Sequence, residues 1–596
     1  MEQVEHEEVA PQDAEAARLY RIRHSLSHVL AQAVLEVRPG STLGFGPPIA
    51  DGFYYDFIIK GEPLSEADFS EIEKRMKKII GRQQPFVRED LSLAEGLARI
   101  EGMGEPYKRE YAAELGEKKG VETLSFYKNG PFLDMCAGPH VDNTKDLPAD
   151  GFKLRSIAGA YWRGDSRNVM MTRLYAWAFA DRESLDAHAK AWKEAQERDH
   201  KKLGQDLDIF VIDDEIGKGL PLWLPAGTVL RDEIEKLAKE IEFKAGYQRV
   251  ATPHLAKADL YYRTGHLPYY KAHMYPMMEL RETVEGKEGE EVIKEVYCLR
   301  PMNCPHHHKI FGARKRSYRD LPLRLAEYGQ VYRFEDSGAL SGLLRVRGMC
   351  MNDAHIYCSE ENLKSEFLAV MEMHRQVYDV LGLTNYYMRF STWDPEDPKG
   401  REKYVNEPEA WERSQVFVRE AMFESGLPFK EVKGEAAFYG PKIDVQFRTV
   451  TGREETASTN QLDFAIPRRL GLHYTGADNQ EHIPYVIHRA PLGTHERFIA
   501  FLIEHYAGAF PTWFAPCQVR LVTIADRFND YAFGIASRLR QQLVRAEVDE
   551  SSERLQKKIR NAGTQKVPNI LIIGEKEVEN NTVTLRRFGI EEQQTM

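Results

Sequence analysis

Apolar residues recur at spacings of three and four through Leu19, Ile22, Leu26, Val29, Leu30, Ala33 and Val34, which predicts an amphipathic helix near the N-terminus. Residues 1–18 ahead of it are acidic and poor in apolar positions, and read as a loose tail. Mixed strand and helix signals then run to about residue 180, with a glycine-rich turn expected at 157–165. Residues 181–207 alternate acid and base at helical spacing with few apolar positions, the pattern of a solvent-bridging connector helix and a domain boundary. In the central stretch, 208–510, residues 322–335 read as a strand, 336–344 as a Gly- and Ser-rich loop and 349–358 as a return strand, together an antiparallel hairpin. The last segment, 511–596, alternates strand-like runs (519–525, 570–574) with helical ones (531–545, 553–561), as a small α/β domain does.

A chain of 596 residues exceeds what one hydrophobic core supports, so three or four domains are expected, multidomain α+β and α/β in class. It is 42% apolar and 29% charged, without a run of about 18 apolar residues, which points to a soluble, cytoplasmic protein with no membrane partner. Six cysteines, none in a C-x-x-C pair, cannot build a disulfide framework and leave room for one or two metal or catalytic ligands. The net charge of -11 excludes a surface that is basic throughout. Residues 511–596 carry a small excess, 13 Lys/Arg against 11 Asp/Glu, sharpest in the run from Arg554 to Arg560, which is either a cationic helix face for nucleic acid or a solvated one.

Alternation along the hairpin puts Arg333 and Glu335 on one face, and Met351, Asp353 and His355 on one face of the partner strand. That surface holds a guanidinium, two carboxylates and an imidazole, and charge pattern alone would equally fit a salt-bridged exterior. His24 and His28 lie four apart on the predicted helix, hence on one side of it, and Asp134, Cys136 and His140 form a second cluster. By spacing these are either a site or packing residues. In His306-His307-His308 adjacent side chains diverge, so that run is expected to be structural.

The hairpin resembles motif 2 of class II aminoacyl-tRNA synthetases, in which the arginine holds the ATP α-phosphate and the acid reads the adenine amino group, here Arg333 and Glu335. The segment Gly246-Tyr-Gln-Arg-Val-Ala-Thr-Pro253 is similar to motif 1, and Gly493-Thr-His-Glu-Arg-Phe498 to motif 3, with Arg497 as its phosphate-binding arginine. Within that class the chain resembles the threonyl-tRNA synthetase family in Arg300-Pro-Met-Asn-Cys-Pro305, Arg345-Val-Arg-Gly348, Asn352-Asp-Ala-His-Ile356, Ala437-Phe-Tyr-Gly-Pro-Lys442, Gln461-Leu-Asp-Phe464 and Ile487-His-Arg-Ala490. The resemblance implies an antiparallel-sheet catalytic domain, an N-terminal α+β editing domain at 19–180 and a C-terminal α/β anticodon-binding domain. It also implies ATP with Mg2+, threonine and tRNA(Thr) as partners, a homodimer built on motif 1, and one zinc ion per chain on Cys304, His355 and His488. Arg345, Asp353, Tyr439, Lys442 and Gln461 would line the threonine and ATP pocket, and Glu577 and Arg586 would read anticodon bases. His24, His28, Lys108, Asp134, Cys136 and His140 would form the editing site for seryl-tRNA(Thr), where the residue types leave metal binding open. Met351 and Thr456 stand at or near places where the family often has glutamine. The family's usual N-terminal ubiquitin-like domain has no room ahead of the first helix. Two other readings are an idle tRNA-binding paralogue, which would have lost ligands or motif arginines, and a metallohydrolase using the N-terminal clusters alone, which leaves the larger part of the chain unexplained.

Overall fold

The computed structural model describes residues 13–165, 167–283, 291–396, 404–448 and 454–596. The chain divides into two compact units, Met1–Trp192 and Lys193–Met596.

The first helix, α1 (Ala14–Val37), starts earlier than its apolar pattern suggests, because Asp13 caps it by accepting the Ala16 N–H; residues 1–12 of the expected tail lie outside the described residues. Ile22, Leu26, Val29, Leu30, Ala33 and Val34 are all buried, so the inward stripe is the one the sequence predicts. They pack on a five-stranded antiparallel sheet whose long strands are β1 (Gly52–Ile58), β5 (Phe152–Tyr161) and β6 (Met170–Ala178), and on helix α2 (Phe69–Gly81). A second sheet joins β2 (Phe86–Ser92), β3 (Thr123–Asn129) and β4 (Phe132–Met135). Helices α3 (Leu93–Met103) and α4 (Pro106–Lys119) accompany it. The turn expected at 157–165 is corrected: strand β5 continues to Tyr161, and the chain turns only at Trp162–Gly164, where Arg163 takes φ 57°. Ladder pairing with β6 outweighs the local preference of the glycines.

The connector is two helices rather than one. Helix α5 (Arg182–Arg198) stops at Asp199, whose carboxylate accepts the N–H groups of Lys201 and Lys202 and so starts α6 (His200–Asp206) afresh.

The second unit is built on an eight-stranded sheet. Its strands are β7 (Gln248–Arg249), β8 (Leu323–Tyr332), β9 (Gly348–Cys358), β10 (Tyr386–Thr392), β11 (Phe429–Lys433), β12 (Lys442–Arg448), β13 (Glu454–Asp463) and β14 (Tyr485–Ala490). The spatial order is β7-β8-β9-β14-β13-β12-β10-β11, antiparallel except for the two edge pairs. Strands β8 and β9 are the expected hairpin, with Leu325 opposite His355 and Glu327 opposite Asp353. Helices α7 (Pro225–Lys244), α9 (Glu360–Val380) and α10 (His495–His505) cover the sheet; α8 (Cys304–Phe311) lies between them in sequence and carries three histidines. Buried Glu242 of α7 forms an ion pair with Arg489 at 2.8 Å and accepts from Tyr328 at 3.0 Å and Asn352 at 2.9 Å, locking the helix to β14, β8 and β9. Removing that carboxylate would strand a buried guanidinium, a loss of about 3–5 kcal/mol.

The C-terminal segment is the α/β domain read from the sequence: a five-stranded sheet of β15 (Val519–Thr523), β16 (Ala546–Asp549), β17 (Asn569–Ile573), β18 (Thr584–Arg587) and β19 (Gln593–Thr595). It is packed by α11 (Asn529–Gln541), α12 (Leu555–Thr564) and α13 (Glu575–Asn580). One detail of the basic run differs: Lys558 is 2% exposed, and its ammonium donates to the Asp549 carbonyl at 3.1 Å. It therefore belongs to the core and not to a cationic face.

Candidate functional site

One helix and two strands of the central sheet bring Cys304, His355 and His488 together. Cys304 opens α8, His355 sits in the middle of β9 and His488 pairs directly opposite it on β14. Their ligand atoms lie within 4.8 Å of one another and all three residues are buried. His355 Nδ1 lies 2.8 Å from His307 Nδ1, and His307 Nε2 lies 3.0 Å from Glu327. Burial alone would raise the Glu327 carboxyl, but hydrogen bonds from His307 and Thr252 and the charge of Arg300 outweigh it and hold it at about 2. Glu327 is thus an anion that accepts from His307 Nε2–H, which leaves His307 Nδ1 to accept from His355 Nδ1–H. That leaves the lone pair of His355 on Nε2, which has no hydrogen-bond partner among the described residues. On the other side, Asp463 fixes His488 through a 3.0 Å contact to Nε2, and its second oxygen is held by the N–H groups of Ala465 and Ile466. A neutral imidazole with a free lone pair, a second oriented imidazole and a thiol make a donor set that fits zinc. Burial pushes the Cys304 thiol well up, an effect a coordinated cation reverses.

Around this cluster stand the other expected residues. Asp353 is buried and accepts from Asn303 at 3.2 Å, and burial raises its pKa. Tyr439 stacks on His488 with ring centroids 5.0 Å apart and hydrogen-bonds Gln461. Lys442 pairs with Asp444 at 2.9 Å. Arg333 continues past the end of β8, donating to the Pro301 carbonyl at 3.1 Å and passing 3.9 Å from the Met351 sulfur. Arg497 is held by the Leu344 and Thr456 carbonyls at 3.0 and 3.1 Å. Burial lowers the Arg497 pKa, Glu455 and Glu335 oppose this, and the positive charges of Arg333 and Arg345 add to it. Arg333 and Arg345 thus both lie close enough to Arg497 for their charges to act on it, an arrangement chemically suited to an anion. Thr456 meets Gln446 at 2.7 Å.

In the N-terminal unit, His24, His28, Cys136 and His140 place their ligand atoms within 4.8 Å of one another. The Cys136 sulfur lies 3.1 Å from His24 Nε2 and 3.2 Å from His140 Nε2. Burial, with the charge of Asp134, pushes the thiol up to about 12, so it is protonated at neutral pH. Burial also keeps His28 and His140 neutral. Lys108 is 1% exposed and is spent on Asp134 and, at 2.9 Å, on the Tyr55 hydroxyl. Lys108 and Asp134 form a buried ion pair on the wall of a cavity of about 500 Å³, which His24, His28, Tyr55 and Cys136 also line.

Sequence reasoning missed Tyr55, Glu327, His307 and Asp463. Glu327 shares strand parity with Arg333, and Asp463 lies inside a quoted motif, so both had a signal; Tyr55 had none. The divergence expected of His306, His307 and His308 is present: His307 turns to His355 and His308 to the Tyr357 hydroxyl at 3.0 Å. In the C-terminal domain, the Glu577 carboxylate accepts from Gly574 N–H and Thr584, both at 2.9 Å, while Arg586 lies on β18 between β17 and β19.

An antiparallel sheet with an arginine-bearing hairpin and a second arginine on the helix after β14 defines the catalytic core of a class II aminoacyl-tRNA synthetase. A family model described as the tRNA synthetase class II core domain (G, H, P, S and T) matches residues 284–506. Others match the anticodon binding domain over 518–596 and the threonyl and alanyl tRNA synthetase second additional domain over 124–175. A threonine–tRNA ligase of Halalkalibacterium halodurans is 47% identical over 591 residues, covering 99% of this chain and 88% of that protein. One from Streptococcus agalactiae is 46% identical over 569 residues, covering 95% and 84%. The crystal structure of the RNA binding domain of threonyl-tRNA synthetase from Cryptosporidium parvum superposes with a TM-score of 0.61 at 32% identity, over 67% of this chain and 95% of that one. A Giardia lamblia prolyl-tRNA synthetase with prolyl-adenylate shares the fold, with a TM-score of 0.53 at 16% identity over 68% of this chain and 75% of that one. The chain belongs to the threonyl-tRNA synthetase family.

Proposed function

We propose that this chain activates threonine with ATP and Mg2+, transfers it to tRNA(Thr) and hydrolyses seryl-tRNA(Thr) made in error. The observation that carries this reading is the buried Cys304–His355–His488 donor set beside Asp353, Tyr439 and Gln461, with Arg333 and Arg497 converging nearby. Zinc held by these three residues would supply a Lewis acid able to recognise an amino group and a β-hydroxyl together. Valine has nearly the shape of threonine, and an apolar pocket separates such pairs by only about 10 to 200-fold, so a polar reader of the hydroxyl is needed. Arg333 and Arg497 bind the ATP phosphates as negative charge shifts in the displacement, Arg345 adds a cation at the rim, Glu335 accepts from the adenine amino group, and Lys442 completes the pocket.

Serine carries the same hydroxyl and lacks only a methyl, worth about 1–3 kcal/mol, so it passes the first site. In the N-terminal cavity neutral His28 can accept a proton from water, while the protonated Cys136 bridges His24 and His140 as a hydrogen-bonding group. The Lys108–Asp134 pair holds the wall in place. Glu577 and Arg586 contact the anticodon, the chain dimerises through the motif 1 segment, and it works in the cytoplasm. No helix among the described residues is long and apolar enough to cross a membrane.

Threonine-dependent exchange of pyrophosphate into ATP tests the reading. Exchange is expected with threonine and not with valine, and lost in Arg333→Ala with tRNA binding retained. Exchange indifferent to the amino acid would overturn it.

A further inference from the structure

On the far side of β9 from the threonine pocket, a third group of donors is buried. Glu235 of α7, Cys350 of β9 and His495, the first residue of α10, place their ligand atoms within 4.8 Å of one another. These residues come from three segments distant in sequence, and none of them belongs to either site described above.

His495 carries the argument. It is 0% exposed, and neither ring nitrogen has a hydrogen-bond partner among the described residues; the nearest carboxylate oxygen, on Glu235, lies 3.5 Å from Nδ1. Leaving buried polar atoms unsatisfied costs about 1–3 kcal/mol each. A protein that simply filled this space would have used an apolar side chain. Cys350 is 4% exposed, and its backbone N–H is tied to the Glu496 carboxylate at 3.0 Å, so the strand and helix that carry two of the donors are already fixed together.

Burial, then the charges of Arg231 and Lys239, lowers the His495 pKa to about 3, so the imidazole is neutral. Burial and the charges of Glu496 and Glu235 push the Cys350 thiol up to about 12, against the charge and hydrogen bond of Arg231, so it is the bound cation that must draw the proton off. Lys239 pairs with Glu235 at 2.7 Å. Together the donor set is one imidazole, one thiol and one carboxylate, the mixture of soft and borderline ligands that suits zinc better than magnesium or calcium.

We propose that Glu235, Cys350 and His495 form a second zinc site, which ties α7, β9 and α10 together behind the catalytic centre. Binding deprotonates the Cys350 thiol, and the proton passes to solvent as the Zn–S bond forms. Ligand atoms around tetrahedral zinc sit about 3.5 Å apart, given Zn–ligand lengths of about 2.0–2.3 Å, so the ion draws the three side chains inward by roughly 1 Å at most. The three donors fill three of the four tetrahedral positions and leave the fourth to a water. The site stands whether or not the proposed function does.

Two measurements test it. In full-length protein carrying Cys304→Ser and Cys136→Ser, cobalt(II) is expected to give a thiolate-to-metal absorption with one equivalent bound, and adding Cys350→Ser to abolish both. No such absorption in the folded double variant overturns the proposal. The second needs no variant: crystals of the wild-type chain grown with zinc should show an anomalous peak at the zinc edge between the three side chains. Its absence there, with a peak present at Cys304, overturns the proposal as well.

Discussion

His307 Nδ1 lies 2.8 Å from His355 Nδ1, and this contact selects the tautomer that leaves the lone pair of His355 on Nε2. The relay begins at Glu327, whose anionic carboxylate takes the Nε2–H of His307 at 3.0 Å. A residue that no zinc ion would touch therefore decides whether a ligand presents a lone pair.

The first prediction follows from that relay. His307→Ala should lower zinc affinity by about 10–100-fold, the usual consequence of removing a group that orients a metal-bound histidine. Competition with a chromophoric chelator measures it, and threonine-dependent exchange should recover when zinc is added in excess. His307→Gln, which can still accept from His355, should lose less. Equal loss in both variants would assign His307 to packing alone.

Why His307 was invisible in the sequence is a matter of geometry. Adjacent helix positions diverge, as His307 and His308 do, but divergence says nothing about where each ring ends up. The hairpin and the α/β architecture of the C-terminal domain were legible because alternation and turn chemistry act locally. The Cys304, His355 and His488 set was found through motif resemblance, since pairing of β9 with β14 joins positions more than 130 residues apart in a way that no local period reports. Expectations failed where tertiary partners overrode local preference: the ladder between β5 and β6 carried the chain through Gly159, and Asp199 cut the connector in two.

Lys558 gives the second prediction. Its ammonium is buried against the Asp549 carbonyl and, at 3.5 Å, Thr523, whereas the side chain of neighbouring Lys557 is 59% exposed beside Glu553. Lys558→Ala should destabilise the C-terminal domain by about 2 kcal/mol, the worth of buried hydrogen bonds to a charged group. Lys557→Ala should stay within about 0.5 kcal/mol. Denaturant unfolding followed by hydrogen exchange in β15 and β17 separates the two, and similar effects would return both lysines to a solvated face.

A third prediction concerns pH. Burial raises the Glu105 carboxyl to about 7, although the Leu43 N–H at 2.6 Å and Lys108 oppose the shift. The folded pKa lies above the ordinary value of 4.5, so the folded state holds a proton that the unfolded chain releases. The resulting stability is complete below about pH 4.5 and is lost as pH rises through about 7. Glu105→Gln keeps the acceptor for Leu43 and removes the titration. The melting temperature of the N-terminal unit in the wild type, taken relative to this variant, should fall across that window and level off above it. A difference that rises with pH would mean that Glu105 is charged in the folded state.

The last prediction separates the two chemistries. Cys136 bridges His24 and His140 at 3.1 and 3.2 Å, and its pKa of about 12 leaves it a thiol, unfit as a nucleophile at neutral pH. If it acts as a hydrogen-bonding bridge, Cys136→Ser, which keeps a donor and an acceptor, should retain part of the hydrolysis of preformed seryl-tRNA(Thr). Cys136→Ala should lose most of it, as should His24→Ala, and iodoacetamide should modify the wild-type cysteine only slowly. Lys108→Met should fail differently, because it removes one partner of a buried ion pair and leaves Asp134 uncompensated, a cost of about 3–5 kcal/mol that unfolds the cavity wall. Its loss should therefore appear in the melting temperature of the N-terminal unit as well as in hydrolysis. None of these changes touches Cys304, His355 or His488, so threonine-dependent pyrophosphate exchange should be unaltered in all four. Complete loss in Cys136→Ser with fast alkylation of the wild type would show instead that the sulfur is the attacking atom.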